Sequence, residues 1–241
     1  MLSNDIKKDV LDILMKKGAL RISQSKDDLF VLKSGRKSPT FINLGALTDG
    51  EALTKLKHAL GHFIASLLKE KKIEDFDFIF GPSYKGIPIA VLACEGLSEL
   101  YRINKRYLYD RKEEKEYADK KMDKIIVGAG YFKPGQKILI IDDVMTTGGT
   151  KMEAIEKLNI LGEHKIVGIV LIADRQEKMG DAENIMDKSP TEHIEHEFGF
   201  KVFPMLEMKT IFDIVKNNLS EEIKHYWIDY YNRYGTIKLV E

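Results

Sequence analysis

The chain has 241 residues, with 38 Lys and Arg against 38 Asp and Glu, so its formal net charge at neutral pH is zero. That length accommodates one α/β domain with a sizeable core, and the even balance gives no whole-chain attraction to nucleic acid or to anionic membranes. A single cysteine, Cys94, excludes an internal disulfide framework and suits a reducing compartment. The opening Met-Leu-Ser-Asn-Asp lacks the charged-then-apolar layout of a signal peptide, and the longest apolar run, residues 166–173, is too short to span a bilayer. A cytoplasmic protein with no membrane and no nucleic-acid partner is the expectation.

From the N-terminus, Ser3 or Asn4 can cap a first helix striped by Ile6, Val10, Ile13 and Leu14, and Gly18 ends it. Phe30-Val31-Leu32 and Thr40-Phe41-Ile42 flank a Ser34-Gly35 turn, which predicts a β-hairpin carrying Lys33, Arg36 and Lys37 at its tip. Taken alone, those cations are a solvated turn. Between residues 49 and 69, Leu53, Leu56, Leu60, Phe63, Ile64 and Leu67 mark a long amphipathic helix that covers a sheet.

Phe76-Asp77-Phe78-Ile79-Phe80 reads as a strand, followed by the turn Gly81-Pro82-Ser83-Tyr84-Lys85-Gly86 and a helix as far as Leu100, with Cys94 a buried thiol within it. This unit sets Lys85 at the carboxyl edge of a sheet, where ligands bind in open α/β folds. Residues 105–110 alternate as a strand. Residues 111–124, beginning Arg111-Lys112-Glu113-Glu114-Lys115-Glu116-Tyr117-Ala118, are nearly all charged; they offer no face to bury and predict an exposed, mobile loop.

The most informative stretch follows. Ile138-Leu139-Ile140-Ile141 predicts a buried strand, and after it come Asp142-Asp143-Val144-Met145 and Thr146-Thr147-Gly148-Gly149-Thr150. From Lys151 the pattern turns helical, with Ile155, Leu158 and Leu161 on one face. Gly148 and Gly149 let a ligand approach the backbone. Successive N–H groups entering a helix N-terminus form an anion cradle, to which Thr146, Thr147 and Thr150 add hydroxyl donors. A phosphate fits that turn. Asp142 and Asp143 repel it, so they serve another part of the same ligand: the vicinal hydroxyls of a ribose are good donors to a carboxylate pair. The turn is not a Walker A loop, since no G-x-x-x-x-G-K-[ST] occurs.

Residues 166–173 form another buried strand, ending in Asp174-Arg175-Gln176-Glu177. Arg175 suits planar bidentate recognition of a carboxylate, or else it pairs with Asp174 or Glu177. A polar loop over 178–190, a helix capped by Thr191, a last strand over 201–206 and helices around 209–217 and 220–233 complete the pattern. His193 and His196 lack a third ligand and read as surface residues. Tyr226, Trp227, Tyr230, Tyr231 and Tyr234 read as packing.

Ile140-Ile141-Asp142-Asp143-Val144-Met145-Thr146-Thr147-Gly148-Gly149-Thr150 resembles the motif with which type I phosphoribosyltransferases bind 5-phosphoribosyl 1-diphosphate (PRPP). Leu32-Lys33-Ser34-Gly35-Arg36-Lys37-Ser38-Pro39-Thr40-Phe41, Gly81 to Gly86, Arg111-Lys112-Glu113-Glu114-Lys115 and Asp174-Arg175-Gln176-Glu177 are similar, in this order, to segments of orotate phosphoribosyltransferases. The resemblance implies an α/β fold of the type I phosphoribosyltransferase class. That fold has a central, mostly parallel sheet flanked by helices, a small N-terminal hood (1–45), a mobile catalytic loop (111–124) and C-terminal helices (207–241) within a single domain (1–241).

It further implies transfer of phosphoribose from PRPP to N1 of orotate. Thr146, Thr147, Gly148, Gly149 and Thr150 take the 5′-phosphate, and Asp142 and Asp143 the ribose. Lys85, Arg111, Lys112 and Lys115 face the pyrophosphate, partly across a homodimer. Lys33, Phe41, Ile42, Thr146 and Arg175 bind orotate. Mg²⁺ is the implied cofactor, held mainly by PRPP and not by side chains. The loop departs from the family in one respect: where Lys-Asp-His-Gly is usual, this chain has Lys115-Glu116-Tyr117-Ala118, a phenol for an imidazole. Two other readings are a phosphoribosyltransferase for uracil or a purine, and a PRPP-sensing regulator that binds nucleic acid. The charged loop and the lack of a basic DNA-reading domain favour an enzyme.

Overall fold

The computed structural model describes residues 4–113, 121–145 and 149–241. Helix α1 (Asn4–Lys16) leads into a short strand, β1 (Leu20–Ile22). Strands β2 (Phe30–Val31) and β3 (Lys37–Ser38) make a hairpin in the register Phe30↔Ser38 and Val31↔Lys37. The hairpin expected to run on to Ile42 stops there. Pro39 has no N–H to give a ladder, and β4 (Thr40–Ile42) pairs instead with β1, antiparallel, setting Leu20 opposite Ile42 and Ile22 opposite Thr40.

Helix α2 (Gly50–Lys69) is capped by Asp49, whose side chain accepts from the Ala52 N–H. After β5 (Phe78–Phe80), helix α3 (Gly86–Tyr101) packs closely on α2. A Cβ added at Gly96 would stand 2.3 Å from the Lys57 carbonyl oxygen, so the contact requires glycine.

Strand β6 (Arg106–Asp110) precedes the charged stretch, of which residues 121 onward form a short helix, α4 (Lys121–Ile125), and an edge strand, β7 (Ile126–Val127). Met122 and Ile125 pack against the core, so the part of the expected loop from residue 121 to 124 is an anchored helix. Then come β8 (Gln136–Met145), α5 (Gly149–Lys157), β9 (His164–Asp174), α6 (Pro190–Phe198), β10 (Val202–Glu207), α7 (Met208–Val215) and α8 (Glu221–Tyr234). The cap of α6 is Ser189, in a reciprocal arrangement with Glu192, and not Thr191, whose hydroxyl donates to Asp174.

The main sheet has the order β10-β9-β8-β5-β6-β7 and is parallel throughout except for the β6–β7 edge. Its strands are apolar on both faces because helices cover both. Ile79, Leu139, Ile141, Val170 and Ile172 face a core completed by α1, α2, α3, α7 and α8, where Trp227 lies edge-on to Phe212. Phe78, Phe80, Ile138, Ile140, Ile169 and Leu171 face the other way, toward Ala154, Leu158 and Ile194. The alternation along each strand is the period of two that a pleated backbone imposes. Cys94 is partly buried against the first core, and burial pushes its thiol up to about 12, so it is no thiolate nucleophile at neutral pH.

Candidate active site at the carboxyl edge of the sheet

Register decides what meets at this edge. Phe80 pairs with both Ile140 and Leu108, so the turn after β5 and the end of β6 lie just short of the level of Asp142. Met145 pairs with Asp174, which sets Arg175 just past the level at which β8 ends. The acidic pair lies within β8 and not beyond it, because β9 runs on to Asp174 and keeps the ladder going. Asp142 and Asp143 are 6 % and 9 % exposed. Asp142 accepts from the Asp143 backbone N–H at 2.8 Å, and Asp143 pairs with Lys85 Nζ at 3.1 Å. Thus the cation from one strand–turn–helix unit meets a carboxylate of the next.

The turn carrying Lys85 is held tightly. A Cβ at Gly81 would come within 2.2 Å of the Gly86 carbonyl oxygen, so the two glycines let the chain fold back on itself. The Ser83–Tyr84 peptide is cis. Asp110, at the end of β6 and absent from the sequence-based candidates, anchors this turn. It accepts from the Ser83 N–H at 2.7 Å and hydroxyl at 2.8 Å, and from Lys157 Nζ on α5 at 2.7 Å. Lys157 also donates to the Arg111 carbonyl at 3.1 Å. One buried carboxylate therefore ties together the Lys85 turn, the root of the charged loop and the helix that follows the Thr/Gly turn. Its partners lie far apart in sequence, so no local signal marked it.

Burial raises the Asp110 carboxyl, but the Lys157 and Ser83 donors outweigh it, and the net shift is below the ordinary 3.8. A carboxylate depressed in this way stabilises the fold fully above its ordinary value, and that contribution fades as pH falls through the folded value. Asp110→Asn is expected to cost about 1–3 kcal/mol at pH 7, with the deficit shrinking below the ordinary 3.8. Urea melts of both proteins at neutral and acid pH measure it; an equal deficit at both would contradict the account.

Residues 49–207 match the model of the phosphoribosyl transferase domain family. The orotate phosphoribosyltransferase of Bifidobacterium adolescentis is 39 % identical over 208 residues, spanning 84 % of this chain and 82 % of that one. The enzyme of the same name from Clostridium beijerinckii is 32 % identical over 236 residues, 95 % of this chain and 97 % of its own.

The chain belongs to the orotate phosphoribosyltransferase family.

The crystal structure of orotate phosphoribosyltransferase from Francisella tularensis superposes with a TM-score of 0.74 at 34 % identity, covering 93 % of this chain and 98 % of that one. A Mycobacterium tuberculosis orotate phosphoribosyltransferase in complex with PRPP shares the fold at a TM-score of 0.56 and 18 % identity.

For a member of this family, the described structure brings Lys85, Asp142, Asp143, Arg111 and Arg175 to one edge of the sheet. Arg111 donates its backbone N–H to Ile125 at 2.8 Å, and its buried side-chain Nε has no hydrogen-bond partner among the described residues. Lys112 stands exposed. Lys115, Thr146, Thr147 and Gly148 lie outside the described residues, as does the side chain of Thr150, whose backbone with that of Gly149 opens α5.

At the base end, Lys33 is exposed on the β2–β3 turn. Phe41 and Ile42 fall on opposite faces of β4: the Phe41 ring lies 5.7 Å from Phe30 with the Arg21 guanidinium over both, whereas Ile42 packs toward the core. Arg36 is not a solvated tip cation. It is 2 % exposed, donates to the carbonyls of Lys178, Met179 and Asp181 at 2.8, 3.2 and 3.1 Å, and stacks over Tyr234. The segment after Glu177 folds back over the hairpin and takes Arg36 as its anchor, a contact across some 140 residues that the turn sequence could not disclose. Arg175 pairs with Glu177 at 2.5 Å, lies 3.5 Å from the Ser38 hydroxyl, and has its carbonyl held by the Tyr231 hydroxyl at 2.6 Å. Its turn is pinned further by Gln176, which sits at φ +52° and binds the Lys209 and Thr236 N–H groups.

Proposed function

We infer that this chain is an orotate phosphoribosyltransferase, moving the 5-phosphoribosyl group of PRPP to N1 of orotate to give orotidine 5′-monophosphate and pyrophosphate in pyrimidine biosynthesis. The observation that carries the assignment of roles is the convergence of Lys85, the Asp142–Asp143 pair, the root of the 111–124 segment and Arg175 at one carboxyl edge.

In this reading the turn of residues 146–150 takes the 5′-phosphate on its N–H groups and hydroxyls. Asp142 and Asp143 accept from the ribose hydroxyls and face the positive charge that develops at C1. Lys85 leaves Asp143 for the pyrophosphate, where Arg111, Lys112 and Lys115 join it. Arg175 takes the orotate carboxylate, with Lys33 and the β4 strand at the same end. Catalysis is then positioning plus charge stabilisation, with water excluded when the 111–124 segment covers the site.

Mg²⁺ fits these residues. Two buried carboxylates are hard donors of the kind that steadies an ion carried mainly by substrate phosphates. When bound, the ion neutralises charge on the leaving pyrophosphate. The pyrophosphate cations act in part across a homodimer, and residues 1–241 form one domain with 1–45 as its hood, 111–124 as its catalytic loop and 207–241 as its closing helices. Among the described residues no helix is long and apolar enough to cross a membrane, and the single cysteine supports a cytoplasmic site of action.

The test is product formation from PRPP with a panel of bases. Orotate is expected to yield its nucleotide, while uracil, adenine and hypoxanthine yield none above background. Turnover of uracil or a purine in preference to orotate would replace this reading with a phosphoribosyltransferase for that base.

A further inference from the structure

At the base end, one carboxylate serves two buried cations. Glu177 accepts from the Arg175 guanidinium at 2.5 Å through Oε1, while its Oε2 lies 3.6 Å from Arg36. Arg175 and Glu177 are only 12 % and 11 % exposed. The acids beside them in sequence are committed elsewhere: Asp174 accepts from the Gln176 N–H and the Thr191 hydroxyl, and Asp181 from the N–H groups of Glu183 and Asn184. A buried cation lacking its full counter-charge is costly, and an incoming carboxylate is the chemistry that cancels it.

A second observation points to the same place. The Tyr230 hydroxyl, buried on α8, lies within reach of Glu177 and Ser38 and near Arg175, yet it closes no well-aligned hydrogen bond with any of them. The Thr40 hydroxyl is also buried without a partner, and its own N–H donates to Ser38 Oγ at 3.2 Å. Buried hydroxyls without well-aligned partners are uncommon in folded proteins, and here one lies beside Glu177 and the other on the residue that binds Ser38.

We propose that Glu177 occupies, in the free chain, the place that the base's carboxylate takes, and that Tyr230 donates to that carboxylate once Glu177 moves wholly onto Arg36. The proposal rests on the reading of Arg175 as the partner of orotate's carboxylate. Nothing covalent changes: Arg175 exchanges an internal carboxylate for an external one, and Glu177 keeps a counter-ion through Arg36. A base without a carboxylate has nothing with which to displace Glu177, so the pair discriminates against uracil by leaving Arg175 occupied.

Three single variants of the full-length chain test this, each measured by steady-state kinetics at saturating PRPP and by thermal melting. Tyr230→Phe is expected to raise KM for orotate roughly tenfold with a smaller effect on kcat, and to leave the melting temperature unchanged or higher, since the buried hydroxyl it removes makes no well-aligned bond in the free chain. A purely structural role predicts a lowered melting temperature with KM unchanged, and that result overturns the proposal. Glu177→Gln is expected to lower KM for orotate several-fold, because the internal competitor loses its charge; a raised KM shows that Glu177 merely orients Arg175 and overturns the hand-off. Should Glu177→Gln fail to fold, Tyr230→Phe decides alone. Arg175→Met separates the two levels: an unchanged KM for orotate refutes the carboxylate assignment itself, whereas a raised KM alongside contrary results from the other variants refutes only the exchange.

Discussion

Replacing Asp142 and Asp143 together by asparagine is expected to lower kcat/KM for PRPP by on the order of 1000-fold while leaving the melting temperature within a few degrees. Both side chains are nearly buried, and the Asp142 contact survives an amide: it accepts from a backbone N–H, which an asparagine oxygen also does, while the Asp143 ion pair is to a half-exposed lysine. What asparagine cannot supply is negative charge. The sugar carbon becomes electron-poor as pyrophosphate departs, so carboxylates aimed at the ribose stabilise the transition state more than the ground state. Lys85, released from Asp143, loses the partner that parks it at the edge, and its free ammonium adds repulsion toward that developing cation. Initial rates of pyrophosphate release against PRPP concentration measure the effect, and a fall of less than about threefold would show that the pair is an ordinary acidic strand end.

The second large effect concerns the charged stretch. Arg111→Ala and Lys115→Ala are each expected to reduce kcat on the order of 100-fold with little loss of stability, because cations that meet the pyrophosphate contribute only where charge develops. The Arg111 backbone stays tied to Ile125 and Lys157 whatever its side chain, and the buried Nε has no hydrogen bond to lose among the described residues. If the loop serves the neighbouring site, mixing the Lys115 variant with an Asp142 variant restores activity. Random exchange makes half the dimers hybrid, each with one intact site, so recovery approaches about one quarter of the unsubstituted rate. No recovery after verified subunit exchange would place the loop over its own subunit's site.

How much of this could be read from residues alone depends on how local each feature is. The run from Ile138 to Thr150 carries its apolar strand, its acids and its turn within a dozen or so neighbours, and Gly81 to Gly86 does the same for the lysine turn. The strand and the lysine turn are where they are expected, apart from the strand's extension through Asp142 and Asp143, which the partner strand β9 imposes; residues 146–148 lie outside the described residues. The pairing of Thr40–Ile42 with Leu20–Ile22 was illegible because Leu20-Arg21-Ile22 is too short to show a period. Arg36, Asp110 and Glu177 have roles set by partners that are distant in sequence or, for Glu177, by two competing cations. A charged side chain gives the same signal in a sequence whether it is solvated or buried against carbonyls. The helix of residues Lys121–Ile125 escaped notice for a related reason: Met122 and Ile125 are too few to outweigh the charges around them.

The most direct measurement is a crystal structure of the chain with orotidine 5′-monophosphate bound, since that one molecule carries the phosphate, the ribose and the carboxylate. The account predicts the phosphate in the turn of residues 146–150, the ribose hydroxyls on Asp142 and Asp143, and the carboxylate on Arg175 with Glu177 turned to Arg36. A nucleotide bound elsewhere, with that turn empty and Arg175 still paired to Glu177, would contradict it.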